Sequence, residues 1–432
     1  MAGGCEAIVP SEVTRDALSK RIRSEEWDFE STVPNRFTHR LHHYPAALYP
    51  DLVSKAIREY GPEETGLIFD PFCGSGTTLV EAIAAGHRSI GTDINPLALL
   101  ISQVKTTPIN PGAQQFLPQL DANVIQNRRA KPLAAMHRKR LSTWFKPKQI
   151  QAIQKIRAWI ALQHEDFNGP LHLALSNILR PASFQRNREF KLYRIPKESR
   201  KEHTFDVIQE FVKEVTGTMA LLDSFSKEFD HPQRVPKVIK HDALDAYDAI
   251  IPPETVDLVL TSPPYGDSET TVAYAQFSWL SNMILGLDDR PPGQLDRELL
   301  GGRRERVVEF GCESIDRAIE NISLTNPERA AEVRAFFLDY AQSIHNAART
   351  VRPGGKAVYV VGNRRVAGEQ LQMDAFTAHV FEECGFNHKT TILRAIQSKR
   401  MPYEVSPSNQ KGSSVGTMVH EYIVVCERPH AV

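Results

Sequence analysis

The sequence predicts an α/β protein built on a doubly wound, largely parallel sheet. Three observations predict it. Residues 66–93 read as strand, glycine-containing loop, helix and strand. Apolar strands ending near Asp242 and Thr261 resume the alternation after a long interruption, and residues 331–362 repeat the helix-to-strand pattern.

Taken in order, residues 1–36 are polar and weakly periodic and read as an extension with no firm place, so order is expected from about Phe37. Pro50 followed by Leu52, Val53, Ala56 and Ile57 has helical spacing, with proline at the start and Gly61-Pro62 as the stop. Gly66–Asp70 is a short apolar strand, Thr77–Ala85 a helix ending at Gly86, and His87–Asp93 the next strand. Residues 110–236 break the alternation: Pro147–Leu162 and Phe205–Phe225 are helical, and the stretch between them is basic and poorly periodic. Strands are expected again at Lys237–Asp242 and Thr255–Thr261, and residues 288–308, rich in Asp, Arg, Gly and Pro, read as a mobile loop. A helix over Ala331–Val351 should stop at Arg352-Pro-Gly-Gly355, before a strand at Lys356–Gly362. Helix Met373–Cys384 and strands Lys389–Ile396 and His420–Cys426 then close the chain.

Composition narrows the function classes. Of 432 residues, 41% are hydrophobic and 24% charged, which is ordinary for a globular chain. No apolar run approaches the ~18 residues of a membrane span, and the N-terminus lacks the pattern of a secretory signal, so a cytoplasmic location is expected. Cys5, Cys73, Cys312, Cys384 and Cys426 form no Cys-x-x-Cys pair, so reduced thiols and no zinc site are expected. His39, His42 and His43 have no carboxylate or cysteine partner at matching spacing, and no metal is expected there. Net charge is zero, but residues 121–200 hold 17 Lys and Arg against 5 Asp and Glu, an excess of twelve that the rest of the chain cancels.

The loop Asp70-Pro-Phe-Cys-Gly-Ser-Gly76 places glycines between a strand and a helix, where the backbone turns sharply and its free N–H groups meet a ligand. No lysine stands at the Walker position and the spacing is not that of a dinucleotide loop. A zwitterionic amino-acid moiety therefore fits better than phosphate. Asp93 ends the next strand, where such folds place an acid for ribose hydroxyls; alone it reads equally well as a turn residue or a cap before Pro96. Thr261-Ser-Pro-Pro-Tyr265 follows a strand directly, at the carboxyl edge of the sheet; in isolation it reads as a rigid surface loop.

Together these segments resemble the DNA amino-methyltransferase family (DNA methylase N-4/N-6). Asp70–Ala82 is similar to its motif I, Gly91-Thr-Asp-Ile-Asn-Pro96 to motif II, His43-Tyr-Pro-Ala46 to motif X and Thr261–Tyr265 to motif IV; Asp242 stands in the place of its third motif. The resemblance covers residues 37–104 and 237–427. It implies a Rossmann-like class I S-adenosylmethionine-dependent methyltransferase fold with a helical insertion. Residues 1–36 would be an N-terminal extension, 37–109 the cofactor-binding half, 110–236 the basic helical insertion and 237–432 the catalytic half. It also implies a cofactor site drawn from Tyr44, Pro45, Asp70, Phe72, Cys73, Gly74, Ser75, Gly76, Thr77 and Thr78, continued by Asp93, Ile94, Asp242, Ala243 and Thr261. For Asp242, a strand-end cap is an equal alternative.

The expected catalytic residues are Ser262, Pro263, Pro264 and Tyr265. An exocyclic amine on a base is a poor nucleophile because its lone pair is delocalised, so an enzyme must orient it. The Ser262 hydroxyl and the Pro263 carbonyl can accept both N–H bonds, and Tyr265 can stack on a base flipped from the duplex. Within the family the Ser-Pro-Pro-Tyr form accompanies cytosine-N4 enzymes and Asp-Pro-Pro-Tyr adenine-N6 enzymes, which favours cytosine with adenine as the alternative. RNA amino-methylation is a more distant one. The expected partners are double-stranded DNA and a cognate restriction endonuclease. DNA contacts are expected from Arg138, Arg140, Arg186, Arg188, Lys191 and Arg194 of the insertion, and from Arg303 and Arg304; Lys399-Arg-Met-Pro402 is a further candidate.

Overall fold

Leu67-Ile-Phe-Asp70 and Val256-Asp-Leu-Val-Leu-Thr261 are near-continuous apolar runs, as a strand covered on both faces requires, and they pair in parallel with Ile68 opposite Leu258 and Phe69 opposite Val259. They lie inside an eight-stranded sheet in the computed structural model, which describes residues 18–29, 36–109, 120–133, 135–186, 190–229, 234–265, 273–296, 298, 300–301, 309–396, 404–405, 415–416 and 420–430. In chain order the strands are β1 (Arg21–Arg23), β2 (Leu67–Asp70), β3 (Arg88–Asp93), β4 (Lys237–Lys240), β5 (Val256–Thr261), β6 (Val351–Val361), β7 (Asn387–Ala395) and β8 (His420–Glu427). Their spatial order is β1-β7-β8-β6-β5-β2-β3-β4, and every pairing is parallel except those of β8, which is antiparallel to both β6 and β7. That order, with a single reversed strand, is the Rossmann-like methyltransferase fold the resemblance implied. The winding reverses between β2 and β5, which opens a crevice at their carboxyl ends.

The helices of eight residues or more are α1 (Pro50–Tyr60), α2 (Thr77–Ala84), α3 (Pro96–Thr106), α4 (Pro147–Ile160), α5 (Asn168–Ala182), α6 (Val207–Glu228), α7 (Tyr274–Leu285), α8 (Glu313–Thr325), α9 (Pro327–Thr350) and α10 (Met373–Glu383). Alternate strand residues face opposite layers. Phe69, Val259 and Tyr359 pack on Phe336, Tyr340 and Phe376 of α9 and α10, whereas Ile68, Leu258 and Val358 pack on Leu52, Val53 and Ile57 of α1. A separate helical core joins Ile153 and Trp159 of α4, Leu175 of α5 and Phe211 of α6 to Met283 and Ile284 of α7. Thus the helices between β3 and β4 share their core with one that follows motif IV. No helix among the described residues is long and apolar enough to cross a membrane.

Several expectations are corrected. Order does not begin at Phe37: β1 adds a parallel edge strand beside β7, and Arg21 forks onto Asp374 with its Nε and Nη2 at 2.7 and 2.8 Å from the two carboxylate oxygens. Trp27 is buried and stacks on Tyr60 of α1. Three edge residues leave no periodic signal, which is why the pattern hid them. Helix α9 starts at Pro327, earlier than expected, with the Asn326 side chain accepting from the Arg329 N–H, and it runs into β6 at Val351 with no intervening loop. The loop at residues 288–308 is not uniformly irregular: Pro292–Asp296 forms a turn of helix, Arg290 bonds Asp288 and Glu298, and Leu300 joins the core. Residues 302–308 and 397–403, with Arg303, Arg304 and Lys399–Pro402, lie outside the described residues.

Candidate active site

Motif I is built from below. Asp70 ends β2; beyond it Cys73 donates its N–H to the Thr92 carbonyl (3.0 Å), and Gly76 donates to the Cys73 carbonyl (2.7 Å), closing a tight turn. Gly74 and Gly76 have φ of +48° and +75°, a region that disfavours a side chain, and Gly76 caps α2. Helix α3 holds the loop's carbonyls: Ser102 Oγ donates to Gly74 O at 2.7 Å, and Lys105 Nζ to Ser75 O at 2.8 Å. With its carbonyls tied to α3, the loop turns its other side to the crevice. Lys105 is fully enclosed, and burial lowers its pKa to about 7. A Cβ on Gly76 would stand 2.9 Å from Ser102 Oγ and 3.1 Å from its Cα. Gly76→Ala is therefore expected to cost about 1–2 kcal/mol in backbone strain alone, and more through the displaced Ser102. Thermal denaturation measures the first loss, and cofactor titration the accompanying loss of affinity.

The crevice lies between motifs X, I, II, III and IV and opens to solvent. Of the cofactor residues expected from sequence, Tyr44, Pro45, Asp70, Phe72, Cys73 and Gly74 line it. So do Ser75, Thr77, Asp93, Ile94, Asp242 and Ala243. Gly76, Thr78 and Thr261 do not: Gly76 faces Ser102, Thr78 Oγ1 donates to Leu260 O, and Thr261 Oγ1 donates to Asp70 Oδ1 at 2.6 Å. These three hold the loop against β5 and α3 rather than facing a ligand.

Asp93 performs the turn role and also faces the crevice. Its Oδ2 accepts from Gly74 N (3.0 Å) and its Oδ1 from Asn95 N (2.7 Å), and the Ile94 N–H also bonds the carboxylate, which keeps capacity for a further donor. Burial raises the carboxyls of Asp93 and Asp70 to about 6, against the hydrogen bonds they accept. Asp242 likewise combines its two readings, since it lines the crevice while its Oδ1 accepts from Leu244 N at 3.0 Å.

Among the catalytic candidates, Ser262 and Pro264 line the crevice, while Pro263 and Tyr265 do not. Ser262 Oγ and Tyr265 OH are 2.9 Å apart. The Tyr265 ring packs on the α9 and α10 core, and its hydroxyl reaches Glu421 on β8.

The sequence reading missed several contributors. Asn95 donates from Nδ2 to Tyr44 OH (3.1 Å) and Ser278 Oγ (2.7 Å), and accepts from Leu97 N to cap α3, thereby joining motifs X and II to α7. An Asn before Pro is a readable cap signal. Tyr274 of α7 stacks on Tyr44 at 5.9 Å and closes one wall; no local pattern marks it. Leu300 and Glu298 also face the crevice, from the stretch expected to be mobile. His39 and His42 are packing residues, bonded to Glu81 (2.7 Å) and Ser176 (2.9 Å). Among the described residues no group of His, Cys, Asp and Glu is arranged to hold a metal.

Beside this wall lies the basic segment. Gln185 and Arg194 form an antiparallel bridge, and Arg186, Lys191 and Arg194 are exposed around it. Phe190 stacks on His43 of motif X at 6.1 Å, and Leu192 N donates to Gln276 of α7. The segment is thus fastened to the motif X side of the crevice. Arg140 donates from Nη1 to Asp289 O. Arg188 and the side chain of Arg138 lie outside the described residues.

A family profile for DNA methylases of the N6/N4 class matches residues 11–103. The type II methyltransferase M.MvaI of Kocuria varians is 33% identical over 436 residues, covering 95% of this chain and 96% of that protein. The chain belongs to the N4/N6 DNA methylase family. The type II methyltransferase M.BsoBI of Geobacillus stearothermophilus is 23% identical and covers 91% of this chain and 86% of its own length. A solved S-adenosylmethionine-dependent methyltransferase from Methanosarcina mazei spans 89% of this chain and 100% of its own at 9% identity. Its TM-score of 0.31 adds nothing to the strand order.

As an N4/N6 DNA methylase the protein uses S-adenosylmethionine as methyl donor and DNA as substrate. The methylase's crevice fits that donor. It offers half-exposed apolar faces in Phe72 and Ile94, a carboxylate with remaining acceptor capacity in Asp93, and a glycine loop at the sheet's switch point.

Proposed function

We propose that this methylase methylates the exocyclic N4 of cytosine in duplex DNA, as the type II modification enzyme of a restriction–modification pair. The observation that carries the base assignment is Ser262: a hydroxyl, not a carboxylate, opens motif IV onto the cofactor crevice. A neutral acceptor pair, Ser262 Oγ with the Pro263 carbonyl, takes both N–H bonds of a cytosine amine without placing a full negative charge beside it. The amine nitrogen is then held with its lone pair toward the cofactor side of the crevice. Pro263 and Pro264 keep the loop rigid, and Tyr265 stacks on the flipped base.

On the cofactor side, Asp93 accepts from the ribose hydroxyls, and Phe72, Cys73, Gly74, Ser75 and Thr77 hold the methionine portion with Tyr44 and Pro45. Ile94, Asp242 and Ala243 border the adenine. The bound cofactor supplies an electrophilic methyl on sulfonium. Residues 110–236 serve target recognition: Arg186, Lys191 and Arg194 take phosphates along the motif X side, and Arg138, Arg140, Arg188, Arg303 and Arg304 are the further candidates for phosphate contact. The naming of relatives as type II methyltransferases supports the pairing with a cognate endonuclease.

Incubation with labelled S-adenosylmethionine and duplex DNA of mixed sequence, followed by nucleoside separation, tests the assignment. N4-methylcytosine is the expected product, whereas label confined to N6-methyladenine overturns it.

A further inference from the structure

We propose that Glu421, at the start of β8, is a positioning residue for methyl transfer: acting through Tyr265, it sets the direction of the Ser262 hydroxyl so that Oγ presents lone pairs to the substrate amine. The inference rests on the reading of Ser262 as amine acceptor.

Ser262 Oγ and Tyr265 OH lie 2.9 Å apart, and either can be the donor. By itself that pair is ambiguous. If Tyr265 donates to Ser262, the serine proton is released toward the crevice, where it would oppose an N–H of the amine. A third group removes the ambiguity. Glu421 Oε1 is 3.5 Å from Tyr265 OH, the long limit of a hydrogen bond, and an ionised carboxylate only accepts, so once that contact shortens it takes the single phenolic proton. Tyr265 oxygen can then only accept from Ser262, whose own lone pairs are left facing the crevice. Hydrogen bonds of this kind tighten when substrate closes the site.

Glu421 is prepared for this task. Its Oε2 is 3.0 Å from Arg394 Nη1, across the β8–β7 pairing in which Glu421 stands opposite Arg394. Arg394 is buried, and its charge opposes the rise in the Glu421 pKa that burial imposes. Topology explains how a residue so late in the chain reaches motif IV. Strand β8 is antiparallel, so its first residues, not its last, lie at the carboxyl edge of the sheet where β5 releases Ser262 and Tyr265.

Single-turnover rates on duplex DNA, with cofactor Kd, DNA KM and Tm, are to be measured for the full-length Glu421→Gln, Tyr265→Phe, double and Ser262→Ala variants. Outer hydrogen-bond partners that orient metal ligands support activity ~10–100-fold, and a partner that orients an amine acceptor is expected to act by the same principle at the low end of that range. About a tenfold loss of rate is therefore expected for each of the first two, with Kd and KM within about twofold of the parent. Because both act through the same proton, the double variant should lose no more than either alone. Parent-like rates in Glu421→Gln and Tyr265→Phe, or losses that multiply in the double variant, overturn the proposal. Should Glu421→Gln fail to fold, Tyr265→Phe, which leaves the Arg394 pair intact, decides it by the same rate. An inactive Ser262→Ala beside a parent-like Glu421→Gln sinks this inference alone; a parent-like Ser262→Ala sinks the amine-acceptor reading itself.

Discussion

Ser262→Ala is expected to lower the rate of methyl transfer by about 10²–10³-fold, the usual cost of deleting one preorganised hydrogen-bonding group that acts on the reacting centre. Cofactor affinity should stay near the parent value. Ser262 stands on the motif IV wall of the crevice, whereas the carboxylate and the turn proposed to hold the cofactor belong to β3 and to the β2–α2 loop. The loss should fall on the chemical step, because the amine keeps the Pro263 carbonyl but is no longer fixed in direction. Single-turnover transfer with prebound cofactor reads the chemical step, and equilibrium titration reads affinity. Loss of affinity comparable to the loss of rate would contradict the separation of roles.

Asp93→Ala carries the second large effect, on binding. A hydrogen bond to a charged group contributes about 1.5–3 kcal/mol, so losing the proposed ribose acceptor should weaken cofactor binding by about one to two orders of magnitude. The same carboxylate holds Gly74 N and Asn95 N, so the motif I turn loosens as well and the free protein should melt at a lower temperature.

A pH dependence follows. Burial raises the Asp93 carboxyl from 3.8 to about 6, and Asp70 moves likewise. Between these limits the folded protein binds protons that the unfolded chain does not. This contribution to stability is therefore fully present below about pH 4 and is lost as pH rises through about 6. Cofactor binding, which needs the ionised acceptor, runs the other way and weakens as pH falls through about 6. The thermal stabilisation produced by S-adenosylmethionine should accordingly shrink between pH 7.5 and about 5.5. Asp93→Asn should remove that trend; its persistence would assign the titration to Asp70.

The recognisable segments were short ones whose chemistry is local. A glycine loop between strand and helix, an acid at the next strand end and a Pro-Pro pair after a buried strand each constrain the backbone within a few residues, so they are readable without neighbours. Twelve of the fifteen cofactor residues that the resemblance implied line one crevice. The three that do not, Gly76, Thr78 and Thr261, belong to the same motifs, and only packing against Ser102, Leu260 and Asp70 turns them away. The zero net charge concealed a basic segment that a windowed count recovers, but its attachment beside motif X, through Phe190 on His43, carries no sequence signal.

By itself the sequence determined the α/β alternation and the residue types offered to a cofactor and an amine, because helix period, glycine placement and proline rigidity act over one or two turns of chain, and the family resemblance supplied the motif order X, I, II, III, IV. Only the tertiary structure decided that Arg21–Arg23 closes the sheet edge, that Tyr274 walls the crevice from a helix 230 residues after Tyr44, and that Glu421 stands behind Tyr265. Those contacts depend on strand order and on the reversed β8, which bring distant residues to one edge of the sheet, and no local periodicity encodes which strands become neighbours.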